Sequence, residues 1–256
     1  SAALLNQGGI VRGSDFGRGS LRINIDQDLG ERARLGTRLQ YSRSVGNEVR
    51  VNDGYGSAGG PITMMALRFA PTIPVRDSTG GFSGPLIPSQ TMDNPLAIAS
   101  LRDDKSTTNY LIGNLFGEYD LLPGLTLRSS VGYTTRSLLN QRYTSRLLRA
   151  ALNRGQANVD NSHRTTWLGE NTVTWQGNLG ESHELAILGG FTAQQTRNAT
   201  SNQQGEGFTS DQLGYRRLNL AELITGSSSA SRERLLSYLG RVNYTLAGRY
   251  LLTAAV

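Results

Sequence analysis

Few residues in this 256-residue chain are able to do acid–base or metal chemistry, and their spacing keeps them apart. There are two histidines, His163 and His183, and no cysteine. No thiolate ligand, disulfide or cysteine nucleophile can form. Two histidines share proton transfer only when both rings reach one substrate. Here the pattern puts His163 at the end of a long connection and His183 at a short turn. A membrane-crossing strand of roughly 30 Å would separate them. The acidic neighbours are similarly unpromising. Asp103-Asp104 reads as a loop pair beside Lys105, solvated like most such pairs, and Asp26 and Asp28 flank a short turn on a polar face. Asp53-Gly54-Tyr55-Gly56 lacks the alternating oxygens and acidic last residue of a calcium loop. Gly54 to Gly60 precedes neither Lys-Ser/Thr nor a helical pattern, so it is not a phosphate loop. Asn198-Ala199-Thr200 matches a glycosylation triplet, which is common by chance. No catalytic, cofactor or metal residue is assigned, no cofactor is expected, and no substrate-binding residue is named. The chain does not read as an enzyme.

The charge is more informative. A net charge of +6 and a pI near 9.9 would suit nucleic acid. However, no dense Lys/Arg block exists and the arginines are dispersed, so no nucleic-acid partner is expected. Arg22, Arg34, Arg38, Arg128 and Arg241 fall on the polar phase of alternating segments. Their default role is pairing with carboxylates such as Glu118 or Glu170. The sharper alternative is steering a charged substrate.

Period-two alternation defines the elements that hold these residues. Leu21, Ile23 and Ile25 face one way, and Arg22, Asn24 and Asp26 the other. After a turn at Leu29-Gly30-Glu31 the alternation resumes through Leu35, Leu39 and Tyr41. Three further hairpins repeat the unit. One joins Asn109–Tyr119 to Leu125–Arg136, the next joins Thr165–Gln176 to His183–Thr196, and the last joins Leu235–Tyr244 to Tyr250–Val256. About eight strands of ten or more residues result, a length that suits a tilted membrane crossing. Hydrophobic residues are only 37 % and mean hydropathy is −0.35. No apolar run is long enough for a transmembrane helix, but a barrel needs apolar residues only at alternate positions. Long polar or Gly-rich connections are expected near 46–107, 140–164 and 198–232, a pattern typical of the outer ends of such barrels. Tyr119, Trp175, Tyr244 and Tyr250 near the short turns suggest one interfacial girdle. Tyr41, Tyr110 and Tyr133 suggest the other. The expected fold is all-β, an antiparallel transmembrane β-barrel segment of four hairpins. Both termini read as lying within a larger protein, with no leader at Ser1, so the sheet should be open.

Particular strings then resemble one family. Pro71-Thr72-Ile73-Pro74-Val75-Arg76-Asp77, Gly80-Gly81-Phe82 and Asp93-Asn94-Pro95-Leu96-Ala97 resemble, in order, a loop of SusC/RagA TonB-dependent outer-membrane transporters. Trp167 to Trp175, with His183-Glu184-Leu185 and Leu188-Gly189-Gly190-Phe191, is similar to a hairpin of that family. Ser237 to Tyr244 followed by Arg249-Tyr250-Leu251-Leu252-Thr253-Ala254 is similar to another, and Phe16 to Asp26 fits a further strand. Leu239 stands where an aromatic is usual, and Trp175 where Tyr is common. The family's plug and the remainder of its barrel have no counterpart in this sequence.

The resemblance implies import of oligosaccharides or peptides across the outer membrane of a Gram-negative, Bacteroidetes-like cell. It implies membrane lipid around the barrel, a SusD-like surface lipoprotein over its loops, and energy from TonB acting on the plug. Loop aromatics Tyr55, Phe69, Phe82 and Phe208 would then stack on sugar rings or pack the loops against that lipoprotein. Two alternatives stay open: a passive porin-like barrel, and a soluble or surface β-rich binding module that buries its apolar face against a second sheet.

Overall fold

A computed structural model describes residues 1–47, 62–84 and 92–256. Nine strands form one antiparallel sheet in simple sequential order. They are β1 (Ala2–Gly8), β2 (Asp15–Leu29), β3 (Ala33–Asn47), β4 (Arg102–Leu122), β5 (Leu125–Thr144), β6 (Gln156–Asn178), β7 (His183–Phe208), β8 (Ala221–Leu246) and β9 (Tyr250–Ala255). Two seven-residue helices, α1 (Ile62–Arg68) and α2 (Pro95–Leu101), lie in the β3–β4 connection. β1 and β9 each pair on one side only, so the sheet is open, as expected.

The short turns fall where the sequence places them. Each turns through left-handed backbone at Gly30, Gly124, Gly180 or Ala247-Gly248. Glycine suits such positions because it lacks the Cβ that penalises positive φ. At Gly124 an added Cβ would also lie 2.1 Å from the Gln176 carbonyl oxygen of β6.

Two expectations are corrected. The strands number nine, because β1 carries too little alternation to be read as one. The stretches 140–164 and 198–232 are mostly strand rather than loop: β5 runs to Thr144, β6 begins at Gln156, β7 runs to Phe208 and β8 begins at Ala221. β7 and β8 have 26 residues each. At about 3.3 Å per residue they reach roughly 85 Å, about two and a half times what a tilted crossing needs. Their far halves are polar on both faces, for example Asn198 to Gln204 against Thr225 to Ser231. With no apolar face the alternation disappears, but the backbone ladder does not depend on it.

Register carries the two-faced pattern across the sheet. Thr37, Leu115, Val131, Gly169, Ala193 and Leu236 form one outward row. Tyr119, Trp175, Tyr244 and Tyr250 take the same outward phase beside the short turns, and Tyr41, Tyr133 and Trp167 bound the band on the other side. Trp167 to Trp175 covers about nine residues, one tilted crossing. The outward row through Arg43, Asn109, Ser137 and His163 is already polar. Many outward apolar side chains stay exposed, among them Val131 at 50 % and Tyr238 at 77 %. In water, a continuous patch of this kind is a liability. Against hydrocarbon it is the solvated state.

The closely packed cores lie at the long-connection end. Met65, Ala97, Ile98 and Leu148 form one, joined by Phe82, Met92 and Leu101. Tyr143, Ala157, Phe208 and Tyr215 form the other. The loop strings noted above build this end. Asn94 caps α2 by accepting from the Leu96 amide at 3.0 Å, and its amide group donates to the Val75 and Ser83 carbonyls. Pro95 begins the helix where its missing N–H is harmless. Asp77 accepts from the Thr79 and Gly81 amides and so shapes the preceding turn.

Candidate functional site

The polar phase of the strands forms one face of the sheet, and on it several charged groups gather in register. Near the short turns it holds an ion-paired network. Asp28 accepts from Arg34 Nε at 3.0 Å, and Arg34 also lies 3.6 Å from Glu118. Arg128 closes the row on the other side of Glu118. One row below, Asp26 pairs with Arg38 at 2.7 Å. Phe116 occupies this polar face because Gly36, directly opposite, leaves room for its ring. A Cβ on Gly36 would meet that ring at 2.3 Å. Arg38 and Arg128 lie 5.7 and 4.5 Å from the ring centroid, on a face rich in π-electron density. Each pair is largely or partly exposed and contributes little alone. Together they neutralise charge that would otherwise repel.

Pairing was the default expectation for the inward arginines. It is found for Arg34, Arg38 and Arg128, with Glu118, Asp26 and Asp28 as the acids. Glu170 instead accepts a 3.3 Å hydrogen bond from Ser130. No ion pair of Arg22 or Arg241 occurs among the described residues.

The other candidates are dispersed. His163 is not at a loop end but within β6, facing outward beside Thr165 at 3.1 Å. His183 opens β7, with Nδ1 2.6 Å from the Tyr244 hydroxyl. His163 is opposite Ala199, sixteen positions along β7 from His183, which is roughly 50 Å of extended strand. Asp103 and Asp104 are not a solvated loop pair. Both lie in β4, where Asp104 receives Arg142 Nε at 2.9 Å and Asp103 sits 3.8 Å from Arg216. Tyr110 does not belong to a girdle, because it pairs with Ser42 and Arg136 and therefore faces inward. Phe208 and Phe82 are packed into or against the two cores at the far end, and Phe69 is half-buried. Tyr55, Asp53 and the run from Gly54 to Gly60 lie outside the described residues.

Asp211, which the sequence did not single out, ties the far end together. It accepts from the Tyr143 hydroxyl at 2.7 Å, the Ser145 hydroxyl at 3.0 Å and the Arg146 amide at 3.0 Å. Burial alone would raise its carboxyl, but these donors and the Arg146 charge hold it below the ordinary range. Tyr215 shifts the other way, raised by burial and then by its bond to Asp103. No local motif announces Asp211, because its partners lie about 65 residues away.

Among the described residues the arrangement presents no nucleophile–base pair. It offers a curved wall, apolar outside and charged inside, with a braced rim. No family model matches the chain. It is 27 % identical to TonB-dependent receptor P3 of Formosa agariphila over 96 % of the chain and 25 % of that protein. It is 27 % identical to TonB-dependent receptor SusC of Bacteroides thetaiotaomicron over 99 % of the chain and 26 % of that protein. The chain spans about a quarter of the length of these curated relatives. Among solved structures, the RagAB peptide transporter superposes with a TM-score of 0.81 at 18 % identity, covering 98 % of the chain and 29 % of that one. The RagAB peptide importer in its closed-closed state gives 0.77 at 18 % identity, covering 99 % and 29 %.

Proposed function

Starting from a SusC/RagA-like barrel segment, we propose that this chain forms part of the wall of an outer-membrane nutrient importer energised through TonB. The outward band meets lipid, and the polar face lines the path around a plug. The short turns point to the periplasm, and the two packed cores form the outer rim under a SusD-like lipoprotein. The cargo is an oligosaccharide or a peptide. The chain holds and guides, and makes or breaks no bond. One observation carries this reading most directly: the outward band keeps a single phase from β2 to β9 and is bounded by aromatics on both sides.

The absence of cysteine from the chain makes a clean test possible. Single cysteines placed at Val131 or Val173 of the whole protein, in cells, should resist a water-soluble maleimide. Those at Thr134 or Thr172 should react. Equal labelling of both phases would remove the lipid-facing assignment and favour a soluble module. For energisation, labelled oligosaccharide or peptide uptake should stop when the proton-motive force is collapsed. Uptake that continues unchanged would favour a passive porin.

A further inference from the structure

A second set of inward arginines lies farther from the short turns, and it lacks the acids of the first. Arg136 of β5 is the direct cross-strand partner of Arg164 of β6. Arg18 of β2 opens onto the same depression of about 660 Å³, lined also by Tyr110, Phe16 and several hydroxyl groups such as Ser42 and Thr134. All three guanidinium groups are exposed. On this face, every cross-strand, diagonal and same-strand neighbour of Arg136 and Arg164, apart from each other, is uncharged. These neighbours include Thr108, Tyr110, Leu138, Ser162, Thr166 and Asn198. Arg18 is likewise bordered by Ser42, Ser44 and Ser20. No ion pair joins any of the three to a carboxylate among the described residues.

Like charges directly opposite on a sheet destabilise it. Nearer the short turns of the same sheet, Arg34, Arg38 and Arg128 are each matched by an acid, and the unmatched Arg22 and Arg241 face no second arginine. The mismatch therefore marks a place where the counter-charge comes from outside the sheet. A depression of this size fits a short segment of a ligand. A pair of guanidinium groups offers forked donors that match a carboxylate with two parallel hydrogen bonds. The surrounding hydroxyls can serve both donors and acceptors, and Tyr110 offers a flat face.

We propose that Arg18, Arg136 and Arg164 form a carboxylate-binding station on the polar face, which selects oligomers bearing acidic groups. The proposal rests on the reading of that face as a transport path, and it names the class of cargo. Hydroxyl and aromatic lining suits either an oligouronate or an acidic peptide, since the carboxylate is the recognised group in both.

The test uses the full-length protein in detergent, with binding measured by calorimetry for four probes: hexagalacturonate, maltohexaose, a glutamate-rich hexapeptide and a serine–glycine hexapeptide. The wild type should bind at least one acidic probe more tightly than its neutral counterpart. Arg136→Gln with Arg164→Gln should weaken that acidic probe about tenfold, a change on the scale of a charge-assisted hydrogen bond. Binding of the neutral probes should not move, and heat-modified gel mobility should show an intact barrel. The Lys substitutions at both positions keep charge but lose the fork, so they should fall between. Which acidic carrier shows the effect identifies the cargo. Equal affinity of wild type for acidic and neutral probes, absence of acidic binding, or acidic binding unmoved by the double substitution would each overturn the station. Uptake in cells is scored separately. Acidic binding without energised uptake would remove the importer reading and leave the station standing.

Discussion

Arg128 and Arg136 lie on the same strand and the same face, eight positions apart, yet their surroundings are opposite in kind. Arg128 has Glu118 across from it, with Arg34, Asp28, Arg38 and Asp26 continuing a balanced network. Arg136 faces Arg164 and a ring of uncharged side chains. Both arrangements would look alike as a count of inward arginines. The first region spends its charge on internal pairing and so has little left for a ligand. The second keeps its positive charge available in a concave space. Position along the barrel wall, not residue type, separates a bracing arginine from a receiving one.

The largest effect should come from giving the second region the chemistry of the first. Arg136→Glu places a carboxylate opposite Arg164. It removes one forked donor, engages the other and adds repulsion, so it should weaken acidic-probe binding by more than the roughly tenfold of the double Gln substitution. Calorimetry on the full protein checks this, and retained affinity would show that the two regions do not differ as described. The converse change comes next. Glu118→Gln leaves Arg128 without its acid and Arg34 with Asp28 alone at the turn end. It should lower barrel stability by about 1 kcal/mol, read from the urea midpoint, because the partner is removed from a partly exposed pair. It should leave the Arg136–Arg164 depression binding as before.

The rim offers a control that should be independent of both regions. The Asp211 carboxyl is held below its ordinary range, so it stabilises the rim above the unfolded value of about 3.9. That contribution is lost as pH falls through the lower folded value. Pepsin should spare residues 145–155 and 209–220 near pH 4.5 and cut them increasingly as pH is lowered to the acid end of its range. Asp211→Asn should be cut at both. Sparing of the substituted protein would mean that the rim does not depend on this carboxylate. The smallest effect belongs to an exposed member of the balanced network. Arg38→Gln should change stability by less than about 1 kcal/mol, since its partner Asp26 is itself half-exposed. A larger loss would mean that the turn-end network acts as one cooperative unit.

Much of the wall was legible beforehand, and the misses have physical causes. Leu21, Ile23 and Ile25, or Leu125, Leu127 and Val131, announce strands because lipid requires every second side chain to be apolar. The polar halves of β7 and β8 gave no such signal, since water accepts both faces and nothing enforces a period. Tyr110 was assigned to the girdle by proximity, and only its pairing with Ser42 and Arg136 turns it inward. Phe208 became a core residue through partners brought in from β5, β6 and the β7–β8 connection.

By itself the sequence determined an all-β chain with one lipid-compatible face and the sites of its short turns. These follow from local rules: side-chain alternation with a period of two, glycine at positive φ, and the residue types present. Only the tertiary structure decided which arginines are matched and which are not. That outcome depends on register, because a cross-strand neighbour is set by pairing over tens of residues. Sliding β6 by two residues against β5 would keep every alternation and still separate Arg136 from Arg164.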